Sequence, residues 1–582
     1  MTQHTEPKAE FASAGTGYGL PVYGFELPPE LAQPAVQQLY PVVIVGAGLA
    51  GLTLGVDLLQ RGVPVVIVDE DNTVGVKGAS SRGICYAQKS LEIFARLGIY
   101  ERIAAKGVQW QVGRTLDGDD EVYAFDLRQS GAHNVSQQPP FINIQQYYIE
   151  WFLVERFLAL APTVAGSSLR WKTQVKHCSQ STDIVSLQLA TPQGQYTLAA
   201  QWLADCSGVH SGIRNGFGLN VNAAQGEDRW CISDVRFKTQ PPTERWTWIQ
   251  APFNDNRAVW QHLMADGVWR LDYQMAADTD MVVAASESVV TERLRRQFGE
   301  GVDFELVWVG PYGYRSQCLD DFQHGRVLFV GDVAHVMSPF GARGGNSAIQ
   351  DADNLGWKLA ALIQGAAGSE LLRTYSQERV AAACENIEIT RRTMRFLAPK
   401  PGVETTMRNA VLGLAKQHTF ARQFVNTGRM SVATAYTKSS LNVGAGAGRH
   451  VQNVVLHYPE NATQQAMAKQ AGRSTDLVQL MKDLNAGVLL VFSKQITAQE
   501  INRLLACIPT ALKPRALVLG RDVIDSDNKL AMQLNFISDK QGKLSEAMVA
   551  IVRPDLYCAG VASADDAEQM ITLFVAALGL NQ

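Results

Sequence analysis

The feature that most constrains this chain is an apolar run, Val42-Val43-Ile44-Val45, leading straight into Gly46-Ala47-Gly48-Leu49-Ala50-Gly51. An apolar strand that ends in spaced glycines and opens a helix begins a dinucleotide-binding α/β unit. Gly46 permits the tight turn, Gly48 lets a pyrophosphate approach the backbone, and Gly51 lets helix and strand pack closely. The helix N-terminus supplies free N–H groups and partial positive charge for that pyrophosphate. A second strand, Val65-Val66-Ile67-Val68, ends at Asp69, an acid placed where a ribose hydroxyl would sit. Such an acid disfavours a 2′-phosphate, so the expected nucleotide at this cradle is FAD or NAD(H).

A second glycine-rich turn lies far downstream. The strand Val327-Leu328-Phe329-Val330 runs into Gly331-Asp332, and the chain continues through Pro339 to Arg343-Gly344-Gly345-Asn346 and a long helix around 347–363. Asp332, at a strand's C-terminal edge, suits a ribityl or ribose hydroxyl. The glycines at 344 and 345 allow close backbone approach, and the helix behind them aims its dipole at the ligand. A reduced flavin is negative around N1 and its C2 carbonyl. A helix N-terminus with Arg343 nearby would stabilise that charge.

Composition narrows the partners. A formal net charge of -4 on 582 residues, with basic and acidic residues interspersed, gives no field that would gather nucleic acid or an acidic membrane. No run of about 18 apolar residues suggests a spanning helix. Residues 1–10 are polar without an apolar core, so no secretory signal is expected and the chain reads as cytoplasmic. The cysteines form neither CxxC nor a zinc-spaced Cys/His cluster, which predicts reduced buried thiols and no metal.

Along the chain, residues 1–40 read as an extended surface arm. Residues 41–228 and 322–440 read as an FAD-binding unit with a helical extension, interrupted by a Trp-rich sheet region at 229–321. Gly444-Ala445-Gly446-Ala447-Gly448 suits a linker. Apolar strands at 488–492, 516–519 and 548–552, with a last helix near 565–578, predict a small separate α/β domain over 455–582. The expected class is mixed α/β: a Rossmann-like unit interleaved with a substrate-binding sheet, plus this C-terminal domain.

On these motifs the chain resembles the single-component flavoprotein aromatic hydroxylases, the para-hydroxybenzoate hydroxylase fold. Within them it is most similar to the 3-(3-hydroxyphenyl)propionate hydroxylase-like branch. The stretches that carry this are Gly331 to Lys358, Leu371 to Arg379 and Val268 to Gln274. By similarity, Gly46, Gly48, Gly51 and Asp69 hold the ADP half of FAD, and Arg82 sits near the cofactor. Gln146 contacts the flavin, Asp332 its ribityl chain, and Gly344, Gly345 and Asn346 its pyrimidine edge. Pro339 lines the hydroxylation site with its carbonyl. The family's Asp-Gly motif is altered: Ser207 stands at the aspartate position, with Gly208 and Arg214 retained and Asp205 as the neighbouring carboxylate. The C-terminal domain resembles a thioredoxin-like domain without CxxC, for which packing or dimerisation is the expected role.

The resemblance implies reduction of FAD by NADH or NADPH, addition of O2 to give a flavin C4a-hydroperoxide, and electrophilic attack on a small phenol. Such chemistry calls for a dry pocket and an acceptor for the phenol proton. In Trp269-Arg270-Leu271-Asp272-Tyr273-Gln274 strand alternation puts Trp, Leu and Tyr on one face and Arg, Asp and Gln on the other. Tyr273 and His262 are the candidates for contact with the phenol, and Arg270 the candidate for a substrate carboxylate. His210, His335, Asp351, Asp353 and Asn354 read as structural. Rival readings are a Baeyer–Villiger or epoxidising flavin enzyme, or an FAD-binding protein without turnover. A flavin-dependent halogenase is disfavoured, because Trp246-Thr247-Trp248-Ile249-Gln250-Ala251-Pro252 misplaces the Ile-Pro of that family's motif.

Overall fold

The structure is a computed structural model. The residues it describes are 10–14, 18–33, 38–75, 83–127, 136–219, 221–425, 430–453, 455–457, 474–483, 487–492, 497–518 and 548–579.

The apolar runs build an eight-stranded sheet. Leu39–Val45 lies at its heart, parallel to Val65–Val68 on one side and to Gly194–Asp205 on the other. Val327–Phe329 adds in parallel beyond Asp205's strand. Strands buried on both faces read as continuous apolar runs, as these do. The helices Leu49–Gln60 and Arg343–Ile363 pack together; a methyl at Gly356 would come within 2.0 Å of Asp57 Oδ2. The carboxyl ends of the strands, at Val45, Val68, Asp205 and Phe329, thus converge on one crevice, where a doubly wound sheet binds its ligand.

The second eight-stranded sheet is antiparallel except where Arg245–Ala251 meets Val112–Asp117. It is wider than the expected 229–321 span, because it recruits Val112–Asp126 from ahead of it and His335–Val336 from behind. The helix Glu287–Phe298 covers its outer face, burying Trp269, Leu271 and Tyr273 against Val290 and Leu294.

Two expectations change. The N-terminal segment is not merely an extended arm: Glu10–Ala14 and Tyr18–Val22 form a hairpin, and Pro29–Ala32 a helical turn. Glu30 there is buried, accepting from Tyr40 Oη at 2.6 Å and from Arg170 Nη1 at 2.9 Å. The 444–448 glycines are not a free linker. Ala445 exchanges backbone hydrogen bonds with Val561, and a methyl at Gly448 would meet the Tyr436 carbonyl oxygen at 2.5 Å. Glycine is needed there for close approach.

At the C-terminus, Leu489–Phe492 pairs in parallel with Arg515–Val518 and antiparallel with Met548–Val552, which pairs with Cys558–Ser563. Ala498–Ala506 and Ala567–Ala577 are the accompanying helices. Among the described residues no helix is long and apolar enough to cross a membrane.

Candidate functional site

A single cavity of about 1060 Å³ follows the crevice of the first sheet and opens against the inner face of the second. Its first half is the glycine cradle. Gly46 has φ +106°, and a methyl on it would meet the Cys206 carbonyl oxygen at 2.5 Å; one on Gly51 would meet the Gly46 oxygen at 2.0 Å. Both positions demand glycine for the fold itself. Gly48 differs: the nearest atom to a methyl there is Glu150 Oε1 at 3.9 Å, so the space above it is open. Gly48 also caps the helix Leu49–Gln60 with no side-chain cap and no acid in the first turn. The open space and the helix N-terminus together fit a pyrophosphate, although Glu150 accepts from Leu49 N–H there.

Asp69 lines this half of the cavity. Its Oδ2 accepts from Ala47 N–H at 2.6 Å and its Oδ1 from Asp71 N–H at 2.8 Å, so it also holds the glycine turn in shape. Burial raises its pKa above the usual carboxylate range, against the pull of those two N–H donors. Gln146 reaches the cavity and donates Nε2 to Glu150 Oε1 at 2.8 Å. Glu150 itself, which sequence reasoning passed over, is a buried acid beside the cradle that also accepts from Gly75 N–H at 2.7 Å, with its pKa raised by burial. Arg82 lies outside the described residues.

The second glycine turn forms the opposite wall. Asp332 is exposed to the cavity. Behind it Asp351 receives Gly331 N–H at 3.1 Å, His335 Nε2 at 2.6 Å and Arg379 Nε at 2.5 Å, which fixes the turn. His335 and Asp351 are therefore framework. The helix Arg343–Ile363 begins four residues ahead of the expected start near 347, with no side-chain cap and no acid in its first turn, and a methyl at Gly344 would meet nothing within 4 Å. Gly345 is closer packed, with Leu49 Cδ2 at 3.4 Å. Asn346 serves this wall differently from expectation. Its amide donates to Cys85 O and Ala342 O and accepts from Ala87 N–H and Ser90 Oγ, so the side chain ties the strand Cys85–Ala87 to the helix. Arg343 is buried and donates Nη1 to Asn386 at 2.6 Å, while still lining the cavity. Pro339 lines it too, its carbonyl accepting from Ala342 N–H at 2.9 Å.

Asp205 does not supply a carboxylate to the cavity. It is fully buried, with Oδ1 taken by Ser207 N–H and Oγ and Oδ2 by Ser211 Oγ. Arg214 braces the same loop by donating to Val333 O and Val209 O.

The chamber at the far end is walled by alternate residues of the second sheet. Register sets His262 opposite Arg270 and Trp260 opposite Asp272 on one neighbour, and Asp234 opposite Arg270 and Ile232 opposite Asp272 on the other. Trp260 packs edge-on against Phe340 at 4.4 Å between ring centroids. His262 belongs to this wall. It stays uncharged: burial, then Arg245 and Arg270, push its pKa well below the usual histidine range.

Tyr273 does not. It lies on the opposite face under Glu287–Phe298, fully buried, with its hydroxyl donating to Gln297. The residue that faces the chamber from this strand's end is its neighbour Asp272. Arg270 also faces in, but its guanidinium grips both oxygens of Asp234 at 2.9 and 3.1 Å. The uncommitted cation is Arg245. It is buried and lies over the rings of Trp110 and Trp260 at 5.9 and 5.8 Å; its one hydrogen-bond acceptor is Met430 Sδ at 3.4 Å, and no carboxylate pairs with it among the described residues.

The glycine cradle and the aromatic chamber beneath the second sheet thus share one cavity. The chain belongs to the family described as FAD binding domain, whose model matches residues 39–390. A 3-(3-hydroxyphenyl)propionate/3-hydroxycinnamic acid hydroxylase of Mycobacterium avium is 27% identical over 374 residues, 62% of this chain and 61% of that relative. The chain thus aligns with about three fifths of that relative's length. A 6-methylpretetramide 4-monooxygenase of Streptomyces rimosus is 26% identical over 92% of this chain and 91% of its own. Among solved structures, the flavin-dependent monooxygenase PieE with FAD and substrate superposes with a TM-score of 0.74 at 19% identity, covering 94% of this chain and all of that one. Aklavinone-11 hydroxylase with FAD and aklavinone gives 0.71 at 20% identity, covering 93% of this chain and 99% of that one. These two likenesses establish a shared fold.

Proposed function

We propose that this chain is an FAD-dependent monooxygenase that uses NADH or NADPH and O2 to hydroxylate a small phenol or another electron-rich aromatic. The observation that carries this reading is the continuity of one cavity from the open space over Gly48 to the chamber of Trp260, His262 and Asp272. Bound FAD would supply the redox and oxygen-transfer chemistry. Gly46, Gly48, Gly51 and Asp69 would hold its ADP half, Gln146 and Asp332 would border its middle, and the backbone of Arg343 to Asn346 its pyrimidine edge. The helix dipole behind Gly344 favours negative charge at that edge. Apolar lining residues such as Ile232, Trp260 and Trp308 would limit water at the reacting centre.

The names of the relatives support a ring substrate bearing a hydroxyl. The C-terminal unit fits a thioredoxin-like arrangement, a parallel strand pair joined by a helix and followed by an antiparallel pair and a helix, with packing as its role. The test is NADH and NADPH oxidation by the purified holoprotein across a panel of phenols, with product mass. Oxidation stimulated by one phenol, with a gain of one oxygen atom, is the expected result. Absence of stimulation by every phenol with either nucleotide overturns the reading.

A further inference from the structure

The wall of the chamber holds one carboxyl whose environment makes no structural use of it. Asp272 Oδ1 is buried with no hydrogen-bond partner among the described residues, and its Oδ2 approaches nothing charged nearer than His262 Nε2 at 4.0 Å. Of its cross-strand neighbours, Ile232 has no polar side-chain atom and Trp260 carries an indole Nε1–H that is itself without a hydrogen-bond partner among the described residues. Arg270, two residues away on the same strand, is spent on Asp234. Leaving a buried acceptor unpaired costs about 1–3 kcal/mol, so a partner from outside the chain is the simplest account of it.

We propose that Asp272 is the catalytic residue that accepts the proton of the substrate's ring hydroxyl. This rests on the hydroxylase reading above and supplies the proton acceptor that reading requires. The hydroxyl proton passes to Asp272 as its O–H bonding pair moves into the ring and the ring takes up the oxygen atom. The O–O bond of the oxygen donor breaks with its electron pair left on the donor oxygen, which takes the proton that the ring carbon loses as aromaticity returns, while Asp272 hands the phenol proton back to the phenol oxygen and is a carboxylate again. No further oxidant is needed beyond the oxygen transfer of the proposed activity.

The surrounding charges suit that task. Facing Asp272 are Arg270 on its own strand, Asp234 on Asn222–Phe237, His262 on Arg257–Leu263, Arg245 on Arg245–Ala251 and Tyr312 on Phe304–Cys318. Burial lifts the Asp272 pKa to about 7, with Asp234 adding to the rise and Arg270 and Arg245 opposing it. An acceptor poised near neutral pH takes and returns a proton better than an ordinary carboxylate. His262, held neutral between two arginines, does not quench it as an ion pair.

The test compares wild-type holoprotein with Asp272→Asn and Asp272→Glu on an active phenol and on its O-methyl ether, which has no proton to give. Asp272→Asn is expected to keep its FAD and bind the phenol within about threefold, while kcat falls about 10²- to 10⁴-fold. On the ether, both proteins should be equally slow, and Asp272→Glu should restore part of the loss on the phenol. A kcat within about threefold of wild type for Asp272→Asn, or an equal loss on phenol and ether, overturns the proposal. A second readout needs no turnover. The visible phenolate absorbance of 4-nitrophenol bound to the oxidised holoprotein reports its ionisation, and without the carboxylate its apparent pKa should fall by about one pH unit or more. An unshifted titration in an enzyme active on phenols brings down Asp272 alone, whereas inactivity on the whole phenol panel brings down the hydroxylase reading itself.

Discussion

Arg270 and Asp234 meet as a bidentate ion pair on neighbouring strands, Nε to Oδ1 at 2.9 Å and Nη2 to Oδ2 at 3.1 Å, both side chains buried. The pair cancels its own charge, which leaves Arg245 as the cation with net attraction to offer a ligand. Replacing Arg245 by Leu should therefore raise KM for a carboxylated phenol about ten- to hundredfold, the value of one charge-assisted hydrogen bond. KM for an uncharged phenol should move little. Steady-state kinetics on matched substrates with and without a carboxylate check this. Equal effects on both would assign Arg245 to packing over Trp110 and Trp260.

Gly48 and Gly51 should separate cofactor binding from folding. A methyl at position 51 would press to 2.0 Å on the Gly46 oxygen, whereas at 48 it meets nothing closer than 3.9 Å. Gly51→Ala is expected to lower Tm or abolish soluble protein. Gly48→Ala should keep the Tm of the FAD-free protein and weaken FAD binding tenfold or more, read by flavin fluorescence on dilution. Intact FAD affinity in Gly48→Ala would move the pyrophosphate elsewhere.

Much of this cradle was legible because its signals are local: a buried strand, a glycine spacing and an acid one strand later. The Val65–Val68 strand lies where its apolar run placed it. What escaped reading depends on distant partners. Alternation along Val268–Met275 sorted the side chains into two faces correctly, but only the helix Glu287–Phe298 decides that the Tyr273 face is the covered one. Arg270 looked available until Asp234, 36 residues away in sequence, closed on it. The 444–448 glycines carry the composition of a flexible linker, yet their smallness serves contact with Cys558–Ser563.

Asp272 should leave a mark on stability as well as rate. Its folded pKa of about 7 lies above the unfolded value near 3.8. The folded state therefore holds the proton more tightly, so its contribution is full below pH 4 and is lost as pH rises toward 7. The loss is roughly 4 kcal/mol at most, at 1.36 kcal/mol per pH unit. In Asp272→Asn this decline should vanish, so the variant gains on wild type between pH 4 and pH 8 in chemical denaturation at fixed ionic strength. Parallel curves for the two proteins would show that the carboxyl is solvated.

The C-terminal unit should prove inseparable from the cofactor domain. Arg553 donates Nη1 and Nη2 to Glu378 at 2.6 and 2.9 Å and also binds Asp555, while Lys358 donates to Glu378 at 2.7 Å; these side chains are almost wholly buried. Glu378 and Lys358 sit on the helices Glu370–Leu397 and Arg343–Ile363, and the latter begins at the proposed flavin edge. Lys89 Nζ adds a bond to the Asp555 carbonyl at 2.7 Å. Removing one member of such a knot strands its partners as uncompensated buried charges, at a cost of about 3–5 kcal/mol. Arg553→Met should therefore lower Tm of the whole chain in a single transition, with FAD released in step. If calorimetry instead resolves two transitions, with the flavin retained through the first, the C-terminal unit is an independent appendage and the knot does not couple it to the site.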